Sequence, residues 1–563
     1  MPFDSSPVPE AARAPAALTP FAACDLLAQG AVARMTGGRS PILATEAWLD
    51  WITHLALSPG KQLDLLLRVG EAATGLCHRP SRADGSIADL GTWPYDWLES
   101  AHHASREWWH SATTGVRGVS QRHEQVLDAK ISEVFQAISP KNSLLTNPGV
   151  QCVTRERGGR NLIDGAKNAL ADMAGLKRKA PGGTFVVGKT LAITPGKVIF
   201  RNALIELIQY SPTTQTVYPE PVLIVPAWIM KYYILDLRPQ NSMIRYLVGQ
   251  GHTVFSISWI NPGAEHQNVS MDDYRRLGVM AAIDTIGQVV PDKKIHAAGY
   301  CLGGTMLSIV AAAMARDNDD RLASMTLFAA QTDFSEPGEL KLFISDSELT
   351  WLDSLMSQSG GLQGAQMAAA FQALHAEELI WAPFIRRYLL GEAESLNDLM
   401  SWNADQTRMP RRMHSEYLRS LFLNNDLAAG HFSVGGRPIA MRDIRVPIFA
   451  LGTAKDHVAP WHSVYKITLL ARTDITFCLA SGGHNAGVVS EPGHKGRSYR
   501  VLAMPGTESY VDPDAYMERA RLSEGSWWPE WQRFLSDRSA ARVATPAMAP
   551  SLCDAPGTYV LAA

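Results

Sequence analysis

From about residue 188 to residue 535 the chain alternates short apolar runs with longer segments of helical period. The runs lie at Val222–Val225, Thr253–Ser258, Ile295–Ala298, Met325–Ala329, Ile448–Leu451 and Ile475–Ala480, and amphipathic stretches such as Met271–Val290 and Thr305–Arg316 separate most of them. Alternation of strand and helix patterns predicts βαβ units around a mostly parallel sheet, the α/β class. Between Asp333 and Ile444 the alternation lapses into helical and loop text. A lapse of that size within a regular sheet predicts an inserted helical cap.

The N-terminal part reads differently. Over Ala44–Ala73 the residues Trp48, Trp51, Ile52, Leu55 and Leu57 recur near helical spacing, Pro59-Gly60 breaks the run, and Leu63–Leu67 resumes it. This predicts a helix-turn-helix pair too small to hold a core of its own. Residues from Leu90 to Met173 read as amphipathic helices rich in Trp (Trp93, Trp97, Trp108, Trp109), interrupted by the turn-rich SPKNSLLTNPGV. Ala and Pro dominate the first forty residues and return after Asp537, which predicts loose ends with one weak helix around Phe21–Ala33. The expected organisation is a leader at 1–40, a short helical module at 41–80 and a helical domain at 88–200. A catalytic domain follows at 201–535, with its cap at about 334–444, and then a loose tail at 536–563.

Composition narrows the function. The 563 residues carry 52 Lys and Arg against 55 Asp and Glu, a net charge of −3, which argues against a strongly basic nucleic-acid binder and a solvated acidic chain. No run approaches the length of a membrane span, and the first residues lack the basic start and apolar core of a secretory signal. The six cysteines are scattered without paired spacing, which suits a reducing cytoplasm and neither a disulfide framework nor a zinc site. The expectation is a soluble cytoplasmic protein without a metal or other cofactor.

The candidate chemistry begins at IHAAGYCLGGTMLSIV, where a strand runs into Gly299-Tyr300-Cys301-Leu302-Gly303-Gly304 and then a helix. This is the nucleophile-elbow pattern G-x-S-x-G with Cys301 in the Ser position. A tight strand-to-helix turn exposes the nucleophile, and the flanking glycines let strand and helix approach. The helix N-terminus adds free N–H groups and a partial positive charge that favours a thiolate. The alternative role for Cys301 is a buried structural thiol on a glycine turn.

A nucleophile of this kind needs a base, and the base an orienting acid, in the chain order nucleophile, acid, His. Asp456, in the Thr453–Pro460 segment after the strand VPIFALG, is the candidate acid, and His484, on the loop SGGHNAG after the strand ITFCLA, the candidate base. Asp333, after MTLFAA, is the rival acid, with a turn or cap as its structural role. His457 has a loop address, whereas His414, His462 and His494 lack a strand-end position and read as surface or packing residues. Cys478 lies within a predicted strand and reads as inert core. The oxyanion hole should combine the N–H of Leu302 with one from the loop after PVLIV, where Trp228 and Ile229 are candidates and Ile229 is preferred. Lys231, Tyr232 and Tyr233 follow and are candidates to line the entrance, with packing beneath the cap as the alternative for the two tyrosines. A cysteine at the elbow favours acyl transfer from a thioester over hydrolysis, because thiolate attack on a thioester is nearly isoenergetic and keeps the acyl group activated.

These residues carry a wider resemblance. SPKNSLLTNPGV, GGRNLIDGAKN, VPAWIMKYYILDLRPQNSMIRYLVGQGHTVFSISWINP, GYCLGGT, WNADQTRMP, EYLRSLFLNNDLA, GTAKDHVAPW, SGGHNAGVV and GSWWPEW occur in order over roughly Leu90–Trp531. In this the chain resembles the polyhydroxyalkanoate synthases, which make bacterial storage polyesters from (R)-3-hydroxyacyl-CoA. LDWITHLALSPGKQLDLL is similar to an N-terminal module of some members. The resemblance implies an α/β-hydrolase fold with a helical cap and a helical N-terminal domain that assists activity and granule attachment. It also implies a Cys–His–Asp triad, which falls on Cys301, His484 and Asp456. Length and the GHTVFSISW text are closest to the single-subunit class I type, which implies short acyl chains such as 3-hydroxybutyryl-CoA.

The implied partners are the acyl-CoA, with coenzyme A a released product and no separate cofactor, together with the growing polyester and the granule surface. A homodimer and granule-associated proteins are also implied, as is a cytoplasmic, granule-bound location. The chain departs from the family at AFQALHAEELIW in the cap, at VPAWIM in place of a Pro-Pro pair, and at Asn485 where an apolar residue is usual. Two other classes share features with this reading. A cysteine thioesterase or polyester hydrolase would use the same triad and yield free acid, and a non-catalytic granule-surface protein would leave Cys301 unreactive.

Overall fold

A computed structural model describes residues 19–36, 40–77, 94–174, 185–374, 376–392 and 397–562. Most of the expected leader, together with Trp93 and His375, lies outside them. Within the described residues α1 (Pro20–Met35) is followed by α2 (Pro41–Ala56), α3 (Pro59–Cys77), α4 (Tyr95–Thr113), α5 (Gln121–Ala137), α6 (Pro148–Glu156) and α7 (Arg160–Met173). The chain divides into two compact units, one formed by residues 40–174 with 366–392, the other by α1 with residues 185–365 and 397–562.

The helical unit contains the expected helix-turn-helix, with a shifted turn. Pro59 opens α3 rather than separating the helices, because proline suits the first helical turn, where its missing N–H has no partner to lose. The Ser40 hydroxyl caps α2 by accepting from Ile42 N–H at 3.2 Å. The buried stripe is Leu43, Ala47 and Trp51, whereas Trp48, Ile52 and Leu57 from the expected stripe are exposed. The pair borrows its core from α4 and α5. Trp51 Nε1 donates to the Ala112 carbonyl at 2.7 Å and Trp108 Nε1 to the Leu65 carbonyl at 3.0 Å, around Val126 and Leu127.

Residues 366–392, expected to be part of the cap, cluster with this unit instead. The reason is a close approach to α7: a Cβ on Gly165 would sit 1.9 Å from the Tyr388 carbonyl oxygen. Asn161 Nδ2 donates to the Leu389 carbonyl at 2.7 Å, and Arg387 grips Asp172 through two bonds of 2.7 and 2.8 Å.

The second unit is built on an eleven-stranded sheet. Its strands are β1 (Gly196–Arg201), β2 (Ile205–Tyr210), β3 (Val222–Val225), β4 (Val254–Trp259), β5 (Ile295–Tyr300), β6 (Leu322–Phe328), β7 (Ile448–Thr453), β8 (Ile475–Ala480), β9 (Ser498–Met504), β10 (Arg521–Glu524) and β11 (Cys553–Asp554). The spatial order is β10-β9-β8-β7-β6-β5-β3-β4-β2-β1-β11. The six strands from β4 to β8 in that order pair in parallel, and the flanks are antiparallel. The predicted runs are the parallel strands, whose continuous burial marks sheets covered on both faces. After β5 comes α8 (Leu302–Arg316), buried over nearly its whole length. In the cap region α9 (Asp346–Ser359) receives α1, where Ser354 Oγ donates to Gln29 Oε1 at 3.1 Å. Near the end, α10 (Trp528–Ser536) places Trp528, Trp531, Phe534 and Leu535 in the core.

Two boundaries differ from expectation. The sheet begins at Gly196, inside the stretch assigned to the helical domain, because Gly196–Arg201 pairs with both β2 and β11. The tail after residue 536 is ordered, not loose. Val543-Ala544 pairs with Thr216-Val217, β11 closes the sheet edge, and Val560 is buried. Among the described residues no helix is long and apolar enough to cross a membrane.

Candidate active site

Cys301 joins β5 to α8 at φ 52° and ψ −123°. That conformation is rare for a residue with a Cβ and costs on the order of 1–3 kcal/mol. Three glycines permit it. A Cβ on Gly299 would meet Gly304 Cα at 2.4 Å, one on Gly303 would meet the Val225 carbonyl oxygen at 2.1 Å, and one on Gly304 would meet Ala330 Cβ at 2.5 Å. The first two are the motif glycines. Gly304 was not singled out in the sequence, although the Gly-Gly pair is its signal.

The chain order nucleophile, acid, His falls on the carboxyl ends of β5, β7 and β8, three parallel strands. The Asp456 side chain has no exposed surface and His484 very little, and His484 Nδ1 lies 2.8 Å from Asp456 Oδ2. Asp456 is fully engaged. Its Oδ2 also accepts from Thr453 Oγ1 at 2.8 Å, and its Oδ1 accepts from the N–H groups of Val458 at 2.9 Å and Ala459 at 2.8 Å. Burial pushes its pKa up, but the His484 charge and these hydrogen bonds outweigh it and hold the carboxyl below its ordinary value.

For His484 burial opposes the charged form, yet the charges of Asp456 and of a Cys301 thiolate, with the hydrogen bond to Asp456, carry the imidazole well above its ordinary pKa. With Nδ1–H directed at Asp456, Nε2 is the nitrogen left for Cys301. The three expected residues therefore come together at the carboxyl ends of neighbouring strands.

The other candidates go elsewhere. The Asp333 carboxylate accepts from Ser335 N–H at 2.8 Å and Asn425 Nδ2 at 3.1 Å, a turn-forming role. His457 and His462 are exposed, His494 pairs with Glu491 at 3.0 Å, and His414 is buried beside Tyr417. Cys478 is buried in β8, and burial pushes its thiol well up. Lys231, Tyr232 and Tyr233 are all buried and line no entrance; Tyr233 donates to Asp405 Oδ2 at 2.9 Å.

Leu302 opens α8 directly after Cys301. Ile229 lies in the loop after β3, where Thr407 Oγ1 donates to the Trp228 carbonyl at 2.6 Å. In a trans peptide the carbonyl and the following N–H point in opposite directions, so the Ile229 N–H is directed away from Thr407. Thr407 was not anticipated as a contributor; its only signal is its place in WNADQTRMP. Two tyrosines were also missed. Tyr300 is buried, lies 5.5 Å ring to ring from His484, and donates to Asn485 Oδ1 at 2.5 Å. Burial raises its pKa well above the ordinary value, with Cys301 and Asp456 adding to the shift. Tyr417 is shifted the same way, by burial and then by the Cys301 charge.

Three family models match the chain. Residues 91–247 match the N-terminus of poly-beta-hydroxybutyrate polymerase (PhaC), residues 19–61 the poly-beta-hydroxybutyrate polymerase N-terminal model, and residues 220–488 the alpha/beta hydrolase fold. The poly(3-hydroxyalkanoate) polymerase of Methylorubrum extorquens is 39% identical over 475 residues, covering 83% of this chain and 78% of that protein. The chain belongs to the poly(3-hydroxyalkanoate) polymerase family. It is an acyltransferase on an α/β-hydrolase fold. The PhaC subunit of Rhizobium meliloti is 37% identical (83% of this chain, 77% of that one), and that of Cupriavidus necator 35% (77% and 75%). Solved structures are remoter: a monoacylglycerol lipase of Paleococcus ferrophilus is 12% identical, covers 59% of this chain and 97% of that chain, and gives a TM-score of 0.31.

Proposed function

We propose that this polyhydroxyalkanoate polymerase uses (R)-3-hydroxyacyl-CoA, with (R)-3-hydroxybutyryl-CoA as the short-chain substrate, and works through an acyl–Cys301 intermediate with release of coenzyme A. The observation that carries the reading is Cys301 on a left-handed elbow, with His484 lying 5.5 Å ring to ring from the adjoining Tyr300 and its Nδ1 2.8 Å from a buried carboxylate. His484 takes the Cys301 proton, and Asp456 holds the ring and stabilises the imidazolium. The thiolate attacks the thioester carbonyl, and the oxyanion rests on the N–H groups of Leu302 and Ile229. When the tetrahedral intermediate collapses, the carbon–sulfur bond to coenzyme A breaks and His484 returns the proton to the departing thiolate. In elongation the 3-hydroxyl of one acyl group gives its proton to His484 and attacks an acyl thioester, so that an ester bond forms and a thiolate leaves.

The test measures coenzyme A release from (R)-3-hydroxybutyryl-CoA by wild type and Cys301→Ala and identifies the acyl product. Polymer from wild type and none from the variant is the expected result. Free 3-hydroxybutyrate would instead mark a thioesterase, and an active Cys301→Ala would refute the covalent mechanism.

A further inference from the structure

The segment after β11 is fastened at two buried charges of opposite sign. At one end Gly557, at φ +83°, lies against Glu206, where an added Cβ would come within 2.2 Å of Oε2. The fully buried Glu206 carboxylate accepts from Thr558 N–H at 2.9 Å, Tyr559 N–H at 3.0 Å and Thr558 Oγ1 at 2.8 Å, and pairs with Arg201 Nε at 2.9 Å. At the other end Lys231 Nζ donates to the carbonyls of Val560 at 2.8 Å and Ala562 at 2.5 Å, with Asp405 Oδ1 at 4.0 Å. An ammonium has three protons to place and is costly to bury unless each finds an acceptor. Burial pulls the pKa of Lys231 below its ordinary value, Asp405 opposing and Arg408 adding to the shift.

Lys231 is two residues beyond Ile229, in a loop that is also held by the backbone bridge Met230–Gln406 and at three carbonyls. Pro226 accepts from Trp259 Nε1 at 2.9 Å, Trp228 from Thr407 Oγ1 at 2.6 Å, and Lys231 itself from Trp402 Nε1 at 2.8 Å. The Lys231 ammonium is the loop's link to residues more than three hundred positions away in the chain. We propose that Lys231 is a positioning residue and that the strap Gly557–Ala562, gripped by Glu206 and Lys231, sets the oxyanion-binding peptide at Ile229. The proposal rests on the assignment of Ile229 as an oxyanion donor.

The test separates oxyanion stabilisation from the reactivity of the Cys301–His484 pair. Lys231→Met removes the grip beside the loop, whereas Gly557→Val forces the strap off Glu206 at its far end. Each variant is measured for the burst of p-nitrophenol from p-nitrophenyl butyrate, which requires acylation at an oxyanion site but no coenzyme A. Each is also measured for alkylation of Cys301 by iodoacetamide, a displacement at a saturated carbon that forms no oxyanion. The expected result is a burst rate about 100-fold lower in both variants, the scale of losing or misplacing one oxyanion donor, with alkylation within about twofold of wild type and KM little changed. The double variant should be no slower than the worse single one, because both act through one strap.

An unchanged burst rate in both variants overturns the proposal, and so does a parallel fall in burst and alkylation. If Lys231→Met does not fold, Gly557→Val carries the same comparison alone. A wild type that shows the burst but releases no coenzyme A from hydroxyacyl-CoA would refute the proposed substrate and leave this measurement readable.

Discussion

Replacing Asp456 by Asn tests the site at its most constrained point. Every lone-pair direction of this carboxylate is claimed: Oδ1 by two backbone N–H groups, and Oδ2 by His484 Nδ1 and Thr453 Oγ1. Asparagine has one oxygen and one NH2 group, so one side must meet a donor with a donor. The backbone pair cannot turn away, whereas a histidine can change tautomer. The amide oxygen therefore takes the Oδ1 position and the NH2 faces His484, which must present a bare Nδ1 and carry its proton on Nε2. That nitrogen can no longer accept the Cys301 proton. The wrong tautomer in such a triad costs about 10⁴ in kcat, or about 5.4 kcal/mol at about 1.36 kcal/mol per decade.

The assay is coenzyme A release from (R)-3-hydroxybutyryl-CoA, together with the pH profile of Cys301 alkylation. The first should fall about 10⁴-fold. The second should shift to higher pH, because His484 loses the carboxylate that raises its pKa. Activity within about tenfold of wild type in a folded Asp456→Asn variant would refute the reasoning.

Three further outcomes follow from the same structure. Gly303→Ala places a methyl 2.1 Å from one backbone carbonyl oxygen and 2.6 Å from the next, so it should cost about 3 kcal/mol or more in denaturant unfolding, because backbone cannot yield as a side chain can. Asn485→Leu should destabilise by about 1–3 kcal/mol because it strands the buried Tyr300 hydroxyl, while Tyr300→Phe should cost less, since half-buried Asn485 can turn to water. Acid should destabilise the fold. Burial lowers His252 to about 3, helped by His296 and Arg542, and lowers His296 and His414 to about 4, whereas the unfolded chain titrates near ~6.5. Their contribution is full above that value and is lost as the pH falls toward 4, about 1.4 kcal/mol per pH unit for each histidine. His484 runs the other way, its contribution full below its unfolded pKa and fading as the pH rises through its raised one. Unfolding midpoints at pH 7.5, 6 and 4.5 check the sign, and a flat profile would contradict it.

What could be read from the residues was local. Each parallel strand from β3 to β8 is a short apolar run, and Cys301, Asp456 and His484 each stand after one of them, so strand-end position separated His484 from His414. Asp333 also follows such a run, and only its turn-forming hydrogen bonds set it apart from Asp456. The elbow was legible because Gly299 and Gly303 are required by contacts within a few residues of sequence and with one neighbouring strand. The antiparallel flank was hidden for the converse reason. β2 reads IELIQY and is buried along its whole length, but its Glu206 and Gln209 look like surface residues until their partners, Thr558 and Tyr559 for one and Ala549 N–H for the other, are known.

The same physics separates the two kinds of polar residue around the site. Asp456 takes three of its four hydrogen bonds from residues at most three positions away, so the turn Thr453–Ala459 builds its own anion site, and GTAKDHVAP already contains it. Lys231 and Glu206 are satisfied by residues more than three hundred positions away, so pattern counts Lys231 as a rim residue and the Ala- and Pro-rich tail as loose. Neither reading survives the other's presence. A buried ammonium needs carbonyls, and a tail with few large apolar side chains needs charged anchors in order to be held. The polar bonds supply the order that composition lacks, which is why Gly557→Val, far from the nucleophile in sequence, tests the site as directly as Lys231→Met does.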